Sequence, residues 1–112
     1  MSEAFLKRSV KKYFKAQGFK VSMRRIRLGN TEIDGEALGL EGERIAIEIK
    51  TAGDDLCRGL GQLSEAQAYG YDQGVLVTTL RKARKVNLTI FHYFEGTLRG
   101  VNSREEIHTV LS

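Results

Sequence analysis

Residues 45–50 read IAIEIK, an alternating segment that ends with an acid and a base two positions apart. In a β-strand, residues i and i+2 point to the same face, so the three isoleucines share one face and Ala46, Glu48 and Lys50 share the other. The isoleucine face predicts contact with a core. Charged side chains on a half-buried strand are seldom found unless they are paired, bound to a metal or chemically active. The stretch therefore predicts a central strand that carries a functional site.

The segments around this strand predict an α-β-β-β-α-β-α order. Ser2 is a candidate N-cap of the first helix, and Gly18 is a candidate C-cap. Three consecutive strands favour an antiparallel meander, and a helix after the third permits parallel pairing with the fourth. The predicted fold class is a mixed α/β sheet flanked by helices, with helices at residues 2–17, 55–69, 81–94 and 104–111 and strands at 21–28, 31–38, 44–50, 74–79 and 100–101.

Length and composition limit the class of protein. The 112 residues favour one domain, residues 1–112. The sequence has no apolar run long enough to cross a membrane and no apolar core of a signal peptide, so we expect no membrane partner. Cys57 is the single cysteine and fits a reducing compartment. The expectation is a cytoplasmic protein.

The net charge of +4 hides an asymmetry along the chain. Residues 1–30 hold nine of the 18 Lys and Arg side chains and one of the 14 acids. Residues 31–112 hold the remaining nine basic side chains and 13 acids. A basic half beside an acidic half is typical of a polyanion partner and a metal or catalytic cluster, while a solvated basic helix is the alternative.

The hairpin between the second and third strands decides which acids meet. A three-residue loop at 41–43 would place Asp34 opposite Lys50 and Glu36 opposite Glu48. An odd loop keeps even-numbered residues on one face, whereas a two- or four-residue loop would separate them. Two carboxylates beside a lysine suit a hard divalent cation, Mg²⁺ or Mn²⁺. Such an ion and a lysine together suit phosphodiester hydrolysis.

Asp34 followed by Glu48-Ile49-Lys50 resembles the signature of the PD-(D/E)xK nucleases, the restriction-endonuclease-like superfamily. The predicted order over about residues 3–80 matches the αβββαβ core of that family. Ile33 stands where the family name has proline, a residue that is often absent in the family. The resemblance implies that Asp34 and Glu48 bind the metal and that Lys50 acts on the attacking water. Small archaeal Holliday-junction resolvases and RecB-type nucleases are similar in size and order.

Two further residues fit this resemblance. Glu3 lies on the apolar face of the first helix, where many such nucleases have a glutamate that approaches the metal; the alternative is a simple preference of an acid for the first turn. Many of these nucleases also carry a catalytic glutamine on the helix after the third strand, with tyrosine four residues later. Gln62 is our preferred match although Ala66 replaces the tyrosine. Gln67 with Tyr71 has the spacing but lies near the helix end.

Basic side chains are expected to hold backbone phosphates without reading sequence. They are Lys7, Lys11, Lys15, Arg24, Arg25, Arg27, Arg81, Lys82, Arg84 and Lys85. The resulting hypothesis is a Mg²⁺-dependent endodeoxyribonuclease, expected as a homodimer on a DNA junction, flap or duplex. The alternatives are an inactive nucleic-acid-binding module of the same fold, an RNA nuclease, and a structural protein whose acids pair with arginines.

Overall fold

The computed structural model describes residues 1–86 and 96–111, and within them a six-stranded sheet lies between helices. The helices are α1 (Glu3–Ala16), α2 (Leu56–Ala68) and α3 (Leu80–Ala83). The strands are β1 (Lys20–Ser22), β2 (Ile26–Leu28), β3 (Thr31–Ile33), β4 (Gly35–Leu38), β5 (Arg44–Ile49), β6 (Gln73–Thr79), β7 (Gly96–Val101) and β8 (Ile107–Leu111). No helix of the described residues is long and apolar enough to span a membrane.

The sheet is mixed, in the order β1-β4-β5-β6-β7-β8. Strands β1, β4 and β5 pair antiparallel, strands β5, β6 and β7 pair parallel, and β8 returns antiparallel to β7. Strands β2 and β3 form a separate two-stranded ribbon. The predicted mixed α/β class, with an antiparallel meander followed by a parallel crossover, is confirmed.

Strand β5 is buried on both faces, because helices cover the sheet on both sides. Its three isoleucines belong to the core beneath α1, together with Leu6, Val10 and Phe14. Its opposite face carries Ala46, which belongs to the core beneath α2 with Leu63 and Leu76. The alternation predicted for residues 45–50 therefore holds, and Glu48 faces the α2 side.

The ends of the two long helices follow from local chemistry. The Ser2 hydroxyl accepts a hydrogen bond from Phe5 N at 3.1 Å, which caps α1 as predicted. Gly18 has φ +88° just after α1, a conformation that favours glycine. Asp55 caps α2 by accepting from Cys57 N at 2.9 Å.

The two strands predicted at 21–28 and 31–38 are each divided, which the sequence reasoning missed. The chain leaves the sheet after Ser22 and returns at Gly35, so that Ile26–Leu28 and Thr31–Ile33 form the separate ribbon. A Cβ at Gly35 would lie 2.5 Å from Ser22 O and 2.7 Å from Met23 Sδ. Glycine is needed here because the two chain segments approach too closely for a side chain.

The hairpin register differs from the prediction by two residues. Leu38 pairs with Arg44, and residues 39–43 form the connection. Glu36 therefore lies opposite Ala46 rather than Glu48. Asp34, directly before β4, lies beside Glu48 rather than Lys50. The connection keeps an odd residue count, so the predicted grouping of even-numbered residues on one face survives the shift.

The predicted helix at 104–111 is wrong, because residues 107–111 form β8. Asn102 Oδ1 accepts hydrogen bonds from Arg104 N at 2.9 Å and Glu106 N at 3.0 Å, and this turn reverses the chain after β7. The strand predicted at 100–101 extends over Gly96–Val101. Of the helix predicted at 81–94, residues 81–83 are helical as part of α3, and residues 84–86 are not. Residues 87–94 of that prediction lie outside the described residues.

Candidate active site

The backbone brings Asp34 and Glu48 together at the end of β5. Asp34 N donates to Ile47 O at 3.0 Å and to Glu48 Oε1 at 3.2 Å. In return, Asp34 Oδ2 accepts from Ile49 N at 2.8 Å. Each carboxylate is thus held through the backbone of the other residue's segment. The break between β3 and β4 serves this geometry, because it turns Asp34 out of the strand and toward β5.

Glu48 is a buried acid, with 2% of its surface exposed. Burial raises the pKa of Glu48, and together with the hydrogen bond to Asp34 and the charge of Asp34 it brings that pKa from 4.5 to about 8. The Lys50 ammonium opposes this shift, with Nζ 3.5 Å from Glu48 Oε2. A second positive charge beside the two carboxylates would favour the ionised form of Glu48.

Both acids open into a polar cleft of about 250 Å³. The five residues that the sequence predicts for the catalytic and metal site all line it: Glu3, Asp34, Glu48, Lys50 and Gln62. Of the ten predicted phosphate-binding residues, Arg25 lines this cleft. Arg58 and Asp54 line it as well, although sequence reasoning did not select them. Arg58 lies one turn before Gln62 on α2, and this i, i+4 spacing is the signal that could have identified it.

Gln62 is held through one end of its amide. Its Nε2 donates to Glu32 O at 2.9 Å, while its Oε1 is buried without a hydrogen-bond partner among the described residues. A buried acceptor without a partner costs free energy unless water or a ligand supplies a donor. Of the two candidate glutamines on α2, Gln62 is the one that lines the cleft.

Glu3 reaches the cleft from α1, as its inward position predicted. Its Oε1 lies 3.2 Å from Lys7 Nζ, one turn along the helix, and 45% of its side chain is exposed. A half-exposed ion pair of this kind contributes little to stability. The contact with Lys7 therefore adds little to the stability of α1.

Lys50 packs against the backbone of α2, where Gly59 leaves room for it. A Cβ at Gly59 would lie 3.1 Å from Lys50 Cε and 2.8 Å from Leu76 Cδ1. A Cβ at Gly61, two positions further along the same helix, would meet nothing within 4 Å. Glycine inside a helix is unfavourable relative to alanine. Glycine at position 59 leaves room for both the Leu76 and the Lys50 side chains.

Lys82 holds the loop that borders the cleft. Its ammonium donates to Thr51 O at 3.2 Å, to Ala52 O at 2.9 Å and to Asp54 O. Asp54 Oδ2 also accepts from Thr51 N at 2.7 Å and Thr51 Oγ1 at 2.9 Å, and these bonds lower the pKa of Asp54. Lys82 was predicted to bind phosphate, but its three N–H donors serve this loop.

The other predicted phosphate-binding side chains lie on the surface or near it. Arg27 lies 3.6 Å from Glu32, and Lys7 contacts Glu3 as described. The remaining exposed members are Lys11, Lys15, Arg24, Arg81, Arg84 and Lys85.

The donor set fits a hard cation that keeps part of its water shell. The described residues contain no group of three or more His, Cys, Asp or Glu side chains arranged to hold a metal. Two carboxylates in a polar cleft suit Mg²⁺ or Mn²⁺ with further oxygen ligands from water or phosphate. They do not provide the nitrogen and sulfur ligands typical of zinc.

The comparisons with known proteins identify the fold. No protein-family model matches the sequence, and no curated protein matches it. A protein of unknown function from Silicibacter pomeroyi is similar over 99% of this chain and 70% of its own, with a TM-score of 0.70 and 18% identity. An XisH family protein from Nostoc punctiforme is similar over 96% of this chain and 99% of its own, with a TM-score of 0.69 and 16% identity.

A third similar structure is Pyrococcus furiosus SfsA in complex with Ca²⁺, with a TM-score of 0.54 and 16% identity. The alignment covers 95% of this chain and 59% of SfsA, so this chain spans less than two thirds of that protein. XisH and SfsA have restriction-endonuclease-like folds, and this chain shares that fold. At these identities the similarity establishes the fold alone.

Proposed function

We propose that this protein is a divalent-metal-dependent nuclease that hydrolyses phosphodiester bonds of DNA at the cleft of Asp34, Glu48 and Lys50. The observation that carries the proposal is the mutual hold of Asp34 and Glu48, in which a buried acid meets a second carboxylate and a lysine at an open cleft. Nucleic-acid binding alone does not need a buried acid whose pKa is raised to about 8. This argues against the inactive binding module.

Asp34 and Glu48 would hold Mg²⁺ or Mn²⁺, with Glu3 as a further candidate ligand from α1. The bound ion would neutralise charge on a phosphoryl oxygen and lower the pKa of its water. The Ca²⁺ in the SfsA structure is a hard cation of the same kind, found with a protein of the same fold.

The chain's own side chains supply the remaining parts of the reaction. The Lys50 ammonium would orient the attacking water and stabilise negative charge that develops on the phosphate. Gln62 Oε1 would accept a hydrogen bond from that water, which gives the buried oxygen a partner. Arg25 and Arg58, on the walls of the cleft, would bind non-bridging phosphate oxygens.

The test is cleavage of labelled substrates with Mg²⁺ or Mn²⁺ and with EDTA. Asp34→Asn and Lys50→Ala should abolish cutting while binding persists. Glu41→Gln and Lys12→Ala, on exposed residues outside the cleft, serve as charge-matched controls and should cut normally. Undiminished cutting by both site variants would overturn the assignment of the site.

The substrate and the assembly are separate parts of the proposal. A panel of linear duplex, single strand, flap, four-way junction and RNA distinguishes a deoxyribonuclease from a ribonuclease and tests structure selectivity. A homodimer would bring two clefts to one DNA, and light scattering in solution measures that state. Cutting of RNA alone would replace the proposed substrate.

A further inference from the structure

We infer that the cavity beside α3 binds an unpaired nucleotide of the substrate, next to the cleft. The inference rests on the proposed function. The cavity measures about 450 Å³ and lies where β6 and β7 end. Its apolar lining comes from Met1, Leu80 and Val101, and its basic lining from Arg81, Arg84 and Lys85.

The sheet places this cavity at the same edge as the cleft. Because β5, β6 and β7 run parallel, their carboxyl ends lie along one edge. Lys50 follows β5, Leu80 follows β6, and Asn102 follows β7. Neighbouring strands are about 4.8 Å apart, so roughly 10 Å separates the ends of β5 and β7 across the sheet. One or two nucleotides of a strand can cover that separation.

A second cavity shares Thr79, Arg81 and Lys85 with the first and also reaches the loop that borders the cleft. It measures about 340 Å³ and is lined by Ala52, from the loop that borders the cleft, and by Arg81 and Lys85, from the basic lining of the first cavity. Lys82 holds that loop in place through its bonds to backbone carbonyl groups. A strand that leaves the cleft over Ala52 would therefore reach Arg81 and Lys85 directly.

The charge of the cavity favours a polyanion. Arg81, Arg84 and Lys85 are exposed, and no acidic side chain lines the cavity within the described part of the chain. Phosphate groups are the parts of a nucleic acid that such side chains bind.

The apolar lining favours an unpaired nucleotide over a continuous duplex. Met1 is exposed and Leu80 is partly exposed, and a Cβ at Gly100 would lie 2.6 Å from Leu80 Cα, so α3 packs directly on β7 and fixes the position of Leu80. A duplex keeps its bases stacked inward and offers mainly phosphates to a cationic surface. An unpaired nucleotide exposes its base and its phosphate together. The base can then contact the apolar side chains while the phosphate contacts the neighbouring cationic side chains.

The test measures binding without cleavage, by fluorescence anisotropy in EDTA. The probes are a blunt DNA duplex, the same duplex with a short single-stranded overhang, and the overhang duplex in which one overhang nucleotide keeps its sugar and phosphate but lacks its base. The variant is Arg81→Glu combined with Arg84→Glu. Its charge-matched control is Lys12→Glu combined with Lys20→Glu, which changes exposed residues outside the cavity.

We expect the wild type to bind the overhang more tightly than the blunt duplex, and to lose this preference when the base is removed. The cavity variant should lose roughly tenfold or more in overhang affinity, well beyond its control. Equal binding of blunt and overhang probes, or equal losses in variant and control, would overturn the inference. Hydrolysis plays no part in this assay, so failure of the nuclease proposal would appear separately as tight binding without cutting.

Discussion

Replacing Glu48 by Gln should remove a pH dependence of the free energy of unfolding, and the size of that dependence follows from the pKa of Glu48. Burial and the neighbouring Asp34 hold the pKa of Glu48 at about 8 in the folded chain, against an ordinary 4.5. At any pH between these two pKa values, Glu48 therefore keeps its proton in the folded chain and has lost it in the unfolded chain. The stability contributed by this proton is complete below about pH 4.5 and is lost as the pH rises through about 8.

The size of the effect follows from the two pKa values. One pH unit in this range changes the free energy of unfolding by about 1.4 kcal/mol per proton. The metal-free wild type should therefore lose about 4 kcal/mol between about pH 5 and about pH 9, a large part of a typical domain's stability. Other shifted groups act elsewhere: Asp54 has a lowered pKa and acts at low pH, and Tyr71 has a raised pKa and acts above about pH 10.

Urea denaturation in EDTA at a series of pH values measures the effect. Glu48→Gln carries no titrating proton, so its unfolding free energy should stay level between about pH 5 and about pH 9 and exceed that of the wild type at the upper end. Glu41→Gln, in an exposed turn, should follow the wild type. Added Mg²⁺ should restore stability at high pH to the wild type and not to Glu48→Gln. A wild-type curve as level as that of Glu48→Gln would refute the reasoning about the buried acid.

Three further predictions concern the surroundings of the site. Gly59→Ala should lower the single-turnover cleavage rate about tenfold or more with little change in Mg²⁺ affinity, because the new Cβ displaces Lys50. The control Gly61→Ala should keep full activity and gain up to about 1 kcal/mol of stability. Equal cleavage rates in the two variants would contradict the role of Gly59 in placing Lys50. Mg²⁺ binding below about pH 8 should release about one proton from Glu48, seen as a buffer-dependent heat in calorimetry, and a buffer-independent heat would contradict it. Lys82→Ala should lower the free energy of unfolding by about 1–3 kcal/mol, because the carbonyl groups of the loop at 51–54 lose their hydrogen bonds to Lys82. The control Lys85→Ala should change the free energy of unfolding very little, and equal losses in the two variants would argue against the loop contacts.

The centre of the fold was predictable because β5 carries an unambiguous pattern. Alternation over residues 45–50 specifies two faces, and an odd hairpin connection was enough to group Asp34 with Glu48. The division of the neighbouring strands was not predictable from alternation, because it depends on the close approach of Gly35 to Ser22. Asp34 followed by a glycine was the available signal of a bend.

The carboxyl-terminal error has a different cause. Residues 104–111 contain acids and spaced apolar residues that fit a helical period, but Ile107, Thr109 and Val110 are β-branched and favour a strand. The Asn102 turn and pairing with β7 decide between the two. The role of Lys82 was equally beyond sequence reasoning, because it depends on carbonyl groups about thirty residues away.

The proposed nuclease site requires that Asp34 and Glu48 share a divalent cation. Anomalous diffraction from crystals of the wild type and of Asp34→Asn, both soaked in Mn²⁺ near pH 8, tests it most directly. We expect a Mn²⁺ peak within coordination distance of a carboxylate oxygen of each residue in the wild type, and its loss or marked weakening in the variant. A well-ordered cleft without a peak, or an equal peak in both crystals, would contradict it.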